Sequence, residues 1–144
     1  MNLFGMLEIG GSALTAERQR AEVVAANMAN AETTRTPEGG PYRRELVVFR
    51  ARRMAAFPLL LASGSSLAAR GVRVDQVVAD PSPPLERYQP GHPDADARGY
   101  VAYPAVNPVE EMTDLLGAVR AYELNASAVQ SVKTMIAQSL DLLR

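Results

Sequence analysis

Asn107-Pro108-Val109-Glu110-Glu111-Met112-Thr113-Asp114-Leu115-Leu116 is the stretch that decides the fold, because it opens a helix that runs on toward Arg144. Asn107 precedes a proline, which pushes it out of the helical region and into the backbone conformation of an N-cap. Pro108 takes the first helical position, where a missing N–H costs nothing. Glu110 stands three residues after the cap, the capping-box position, and Glu110 and Glu111 bring negative charge to the positive end of the helix dipole. Beyond them the chain has one glycine, Gly117, and no proline. Steps of three and four give Met112, Leu115, Val119, Tyr122, Ala126, Val129, Lys133, Ile136, Leu140 and Leu143, a seam that only Lys133 breaks.

A second helix is expected at the other end. No proline precedes Pro37, and Phe4, Leu7, Gly11, Leu14, Ala21, Ala25 and Met28 recur at helical spacing. Arg18 interrupts that stripe, and Gly10 and Gly11 weaken the helix by roughly 1 kcal/mol each. It should stop near Glu32. Thr33, Thr34 and Thr36 favour local hydrogen bonding or extended structure, and Pro37 with Gly39-Gly40-Pro41 forbids continuation. Between the helices the character changes. Tyr42–Arg53, Gly71–Asp80 and Gly99–Val106 read as strands, while Pro81, Pro83, Pro84, Pro90 and Pro93 mark the joining segments as loops. Residues 54–70 carry no assignable pattern.

The expected division is a helix over 1–34, a β-rich middle over 35–106 and a helix over 107–144. The fold class is α+β, with long terminal helices packed as a coiled-coil-like pair and a small β-rich central insert. At 1.5 Å per residue such helices reach ~45 and ~55 Å. Both lengths exceed the diameter of a domain this size. They must pack on each other and then on something else, as an interaction or assembly protein does.

Charge and composition exclude other classes. With 15 basic and 16 acidic residues the net charge is −1, so no whole-chain field draws the protein to nucleic acid or to a lipid surface. No cysteine is present, which removes disulfides, thiolate metal sites and a cysteine nucleophile. Met1-Asn2-Leu3-Phe4-Gly5 has no basic region before an apolar core, so no cleaved signal peptide is expected. The apolar stretch Met54–Ala62 is interrupted by Pro58 and falls far short of the ~20 residues that span a bilayer. His92 is the only histidine, and no nucleophile elbow or metal-ligand set accompanies it. Arg43, Arg44, Arg50, Arg52 and Arg53 read as the solvated face of an edge strand. Catalysis, cofactor and metal are all expected to be absent.

Polar residues inside the helices say more. Asn27, Asn30 and Asn125 are poor helix formers, and a functional reading has them hydrogen-bonding across helix interfaces to fix register. The runs Gly11-Ser12-Ala13-Leu14, Ala26-Asn27-Met28-Ala29-Asn30 and Thr33-Thr34 resemble the N-terminal signature of the flagellar rod and hook axial family. Its basal-body rod members are resembled by Thr36-Pro37-Glu38-Gly39-Gly40-Pro41-Tyr42-Arg43-Arg44, by Asp80-Pro81-Ser82-Pro83-Pro84 and by Pro90-Gly91-His92-Pro93-Asp94-Ala95-Asp96. Gly99-Tyr100-Val101-Ala102-Tyr103-Pro104, Val106-Asn107-Pro108-Val109-Glu110-Glu111-Met112 and Arg120-Ala121-Tyr122-Glu123-Leu124-Asn125 are similar again. Ala105 and Glu32 depart from the family pattern, each standing where asparagine is usual.

That resemblance implies a structural subunit of the proximal rod, exported unfolded by the flagellar type III apparatus and assembled in the periplasm. Its terminal helices would line the inner tube. Its neighbours would be other rod proteins, copies of itself, and export-gate or adaptor components at the rod base. The expected subunit interface comprises Leu7, Leu14, Asn27, Met28, Asn30, Thr33, Met112, Leu115, Val119, Tyr122, Asn125, Val129, Ile136 and Leu140. The competing expectation is a soluble coiled-coil adaptor or chaperone of an export system, which forms a defined small oligomer and never polymerises.

Overall fold

The computed structural model describes residues 3–52 and 71–141. Helix α1 spans Leu3–Ala29 and helix α2 spans Pro108–Asp141, with strands β1 (Glu45–Ala51), β2 (Val72–Ala79), β3 (Leu85–Tyr88) and β4 (Tyr100–Tyr103) between them. The class is α+β, with the long helices at the two ends and two small sheets in the middle. The unassigned stretch 54–70, together with Arg53 and Leu143, lies outside the described residues.

The helix limits follow local chemistry. Asn107 caps α2 through its side-chain oxygen, which accepts the Val109 N–H at 3.1 Å. At its C-terminus α1 gives way to a turn over residues 30–32. There the Thr33 N–H donates back to the Asn30 carbonyl at 3.1 Å, before the threonine and proline run takes over.

Strands β1 and β2 form one sheet and β3 and β4 the other. In the first, the Asp80 N–H donates to Arg44 O at one end and the Arg52 N–H to Gly71 O at the other, an antiparallel arrangement. These bonds enclose eight steps on one strand (44 to 52) and nine on the other (71 to 80). The second strand therefore carries one extra residue, a bulge. In the second sheet Leu85 faces Tyr103 and Tyr88 faces Tyr100, antiparallel. Strand β3 corrects the expectation of loop between the prolines. Leu85-Glu86-Arg87-Tyr88 has no β-branched residue and no alternation, and it is extended because β4 offers it a ladder.

The chain forms two compact units, and each helix contributes to both. One unit combines α1 as far as Gln19, the β1–β2 residues within Val48–Gln76, and α2 from Ala118. Gly10 is buried in it, and a Cβ at that position would stand 2.6 Å from Val129 Cγ2. Only a residue without a side chain lets the helices approach so closely. Ser12 Oγ donates to Ile9 O at 2.7 Å and accepts the Val72 N–H at 3.1 Å, which pins the start of β2 to α1. Gly71 has φ +97°, and a Cβ there would overlap Ser12 Oγ. Among the described residues, Ala16, Ala118 and Val132 are the buried apolar ones here.

The other unit combines Arg20–Val47 with Val77–Gly117. Its apolar core is Val24, Val101, Tyr103 and Val106, with Asn27 and Glu111 buried among them. Ion pairing and hydrogen bonding join Arg20 to Asp114 and Asn27 to Glu111, so within this unit α1 and α2 run antiparallel.

Covered positions on α2 include two rows spaced by seven. Glu111, Ala118, Asn125 and Val132 form one, and Leu115, Val129 and Ile136 the other, in which Tyr122 keeps the spacing but is exposed. The second row coincides with the expected seam. The first lies one residue before the expected Met112, Val119, Ala126 and Lys133. A similar offset occurs on α1, where Gly10, Val24 and Asn27 are buried rather than Gly11, Ala25 and Met28. The covered rows include Glu111, Asn125 and Asn27, polar residues that a search for apolar spacing passes over.

Candidate functional site

The chain leaving α1 is turned back on itself at once. Gly39 N–H donates to Thr36 O and Thr36 N–H to Gly40 O, closing a loop in which Gly39 and Gly40 take φ of 90° and 78°. Left-handed backbone of this kind favours glycine. The Tyr42 N–H then donates to Thr33 O at 3.0 Å, which brings Tyr42 and β1 against the end of α1.

At that junction Asn27, 1% exposed, uses its whole hydrogen-bonding capacity. Its Nδ2 donates to Glu45 O at 2.9 Å and to Glu111 Oε2 at 3.0 Å, while its Oδ1 accepts the Tyr42 hydroxyl and the Glu45 N–H, both at 2.9 Å. Glu111, also 1% exposed, receives Arg44 Nε and Nη2 on its other oxygen. Arg44 reaches Asp114 at 3.6 Å as well, and Asp114 lies 3.5 Å from Arg20. A buried carboxylate with both oxygens occupied by donors is stable where an unpaired one is not. Burial raises the Tyr42 hydroxyl above the ordinary tyrosine value, and the negative charges of Glu45 and then Glu111 add to that.

The expected interface residues are distributed unevenly. Asn27 bridges α1, β1 and α2, as the register reading requires. Asn30 and Asn125 bond locally instead, their Nδ2 groups donating to Ala26 O and Ala121 O. Thr33 donates to Asn30 Oδ1 at 3.2 Å. Leu7, Leu14, Met28, Leu115, Val129 and Ile136 are half-buried. Met112, Val119, Tyr122 and Leu140 are exposed, Met112 at 54% and Leu140 at 62%. Val109, Met112, Leu116 and Val119 lie on neighbouring helical positions and leave an apolar strip in solvent.

The sequence reading missed Glu111, Arg44 and Tyr42 as partners. Glu111 was given a role at the helix dipole and Arg44 a place on a solvated strand face. A signal did exist, since Glu111 keeps the seven-residue register of Ala118, Asn125 and Val132. Arg43, Arg50 and Arg52 fit the solvated reading better, since all three are exposed and Arg50 pairs with Asp75 at 2.7 Å.

His92 builds its loop. Its Nδ1 accepts the Asp94 N–H at 3.1 Å, and its ring lies 6.4 Å from that of Tyr103. Asp94 accepts the Thr34 hydroxyl and pairs with Arg35. Asp96 accepts the N–H groups of Arg98 and Tyr100, and its carboxyl is held below the usual carboxylate range chiefly by the Tyr100 N–H. These acids are committed to backbone donors and ion pairs.

Two family models match where these contacts lie. The model for flagella basal body rod protein matches residues 7–35, and that for the C-terminal part of the flagellar basal body rod FlgEFG proteins matches 97–142. Flagellar basal-body rod protein FlgC of Borreliella burgdorferi is 40% identical over 154 aligned residues, covering 100% of this chain and 99% of the relative. The chain belongs to the FlgC family of flagellar basal-body rod proteins. FlgC of Yersinia enterocolitica is 40% identical and FlgC of Bacillus subtilis 39%, each covering 99% of this chain. Flagellar basal-body rod proteins are structural, so the work of this FlgC-family chain is mechanical rather than catalytic, and the adaptor or chaperone reading is disfavoured. Ser12 and Asn27 fall in the first matched segment and Glu111 in the second.

Proposed function

We propose that this rod subunit polymerises through its two terminal helices, which line the inner tube of the proximal rod, with residues 35–106 as its β-rich central domain. Its neighbours are other rod proteins and further copies of itself, with export-gate or adaptor components at the rod base. It reaches the periplasmic space through the flagellar export apparatus. The observation that supports polymerisation is the strip of Val109, Met112, Leu116 and Val119, left in solvent beside an α2 face that is already covered. Burying such side chains against a neighbour contributes up to about 1.5–3 kcal/mol each. Leu7, Leu14, Met28 and Leu140 extend the proposed contact.

A helix whose apolar stripe is incomplete is marginal in water. The ends of the free subunit therefore fray and gain order when neighbours bury them. Hydrogen exchange on the monomer tests this, and strong protection throughout Leu3–Met28 would count against it. A reconstruction of the assembled basal body tests the placement. Both helices are expected at the inner radius, and finding either at the outer surface overturns the proposal.

A further inference from the structure

Three segments far apart in sequence meet at one amide. Asn27 has two N–H bonds and two oxygen lone pairs, and Glu45 O, Glu111 Oε2, the Tyr42 hydroxyl and the Glu45 N–H take all of them. Glu111 is in turn divided, with Oε2 on Asn27 and Oε1 on Arg44. Both side chains are almost wholly buried. A buried network of this kind is favourable when complete and costly when one member is missing.

We propose that Asn27, Glu111, Arg44 and Tyr42 form an all-or-none latch. The end of α1, the start of β1 and the first turns of α2 close in a single cooperative step. The latched unit stays ordered in the free subunit while the rest of each helix frays. It also selects the register. Sliding α2 along α1 by one turn strands the Glu111 carboxylate without its donors, and pairing the helices before β1 arrives leaves Oε1 without Arg44. The neighbouring seam residues Val24 and Ala118 are small and apolar and impose no such penalty.

Isosteric exchanges test the latch without opening a cavity. Asn27→Asp sets a second carboxylate oxygen against Glu45 O and Glu111 Oε2. Glu111→Gln sets an amide NH₂ against either the Asn27 amide or the Arg44 guanidinium. In the double variant the glutamine amide donates to the aspartate while its oxygen keeps facing Arg44. One repulsion, toward Glu45 O, remains. Hydrogen exchange on the full-length chain is the readout. Each single variant should raise exchange by about tenfold or more in residues 24–29, 43–47 and 111–117 together, the loss expected for a buried bond to a charged group. The double variant should recover part of that protection. Silent single variants, faster exchange in one segment alone, or a double variant no better than the worse single overturns the latch. If a single variant fails to fold, the double variant still decides, by folding or not.

Discussion

At the scale of single residues, Tyr42 is the member of the latch whose charge state can be set from outside. Its hydroxyl donates to Asn27, and burial with two nearby carboxylates raises it above the ordinary value of 10.0. The folded chain therefore holds this proton more tightly than the unfolded chain does. Its contribution to stability is complete below the unfolded value and is lost as pH rises through the higher folded value. A denaturation series across that alkaline window should show falling stability in the native chain. Tyr42→Phe should flatten the decline while costing about 0.5–1.5 kcal/mol near neutral pH, the usual worth of one hydrogen bond. An unchanged alkaline decline in the phenylalanine variant would mean that Tyr42 is not its source. Asn27 was legible in the sequence as a polar residue in a helix that needed a reason. Its partners were not, because Arg44 and Glu111 lie 67 residues apart and each has an ordinary surface explanation.

At the scale of elements, the adjacent glycines of α1 have opposite surroundings. A Cβ at Gly10 meets Val129 Cγ2 at 2.6 Å, whereas one at Gly11 has nothing within 4 Å. Gly11→Ala should stabilise the chain by up to about 1 kcal/mol through helix propensity. Gly10→Ala gains the same propensity but must displace a stiff β-branched side chain, and overpacking of this kind costs about 1–3 kcal/mol. Thermal melts of isolated rods, in which both helices are ordered, should thus move in opposite directions for neighbouring substitutions, and adding Val129→Ala should relieve the second. Equal shifts would place the helix contact elsewhere. The exposed strip of α2 gives a complementary test. Met112→Asp or Val119→Asp should leave monomer stability within about 0.5 kcal/mol, as surface changes do, yet abolish rod assembly and swimming. Helical periodicity could find both helices and one of the two covered rows. It misplaced the other because Glu111 and Asn125, being polar, carry no apolar signal at row positions.

At the scale of the whole molecule, the helix–strands–helix order was readable from caps, prolines and composition. Strand β3 was not, since its conformation comes from β4 rather than from Leu85–Tyr88. The compartment in which the helices finally pair can be read from the helix contact itself. The chain has no cysteine, so any disulfide in it is an introduced one. A Cβ at position 10 would stand 4.0 Å from the Cβ of Val129, within the roughly 3.5–4.5 Å that a disulfide requires. Gly10→Cys with Val129→Cys also replaces the valine that would crowd a lone side chain at position 10. Cytosolic thiols stay reduced, whereas the periplasm oxidises them. A subunit that crosses the inner membrane unpaired and closes α1 on α2 afterwards should carry an intrachain bridge in isolated rods. The same variant should keep free thiols in cells whose export is blocked. Non-reducing electrophoresis separates these cases, because an internal bridge speeds migration and a reductant reverses it. A bridge between two subunits would instead mean that Gly10 and Val129 meet across neighbours in the polymer. Free thiols in the isolated rod would mean that assembly pulls this helix pair apart.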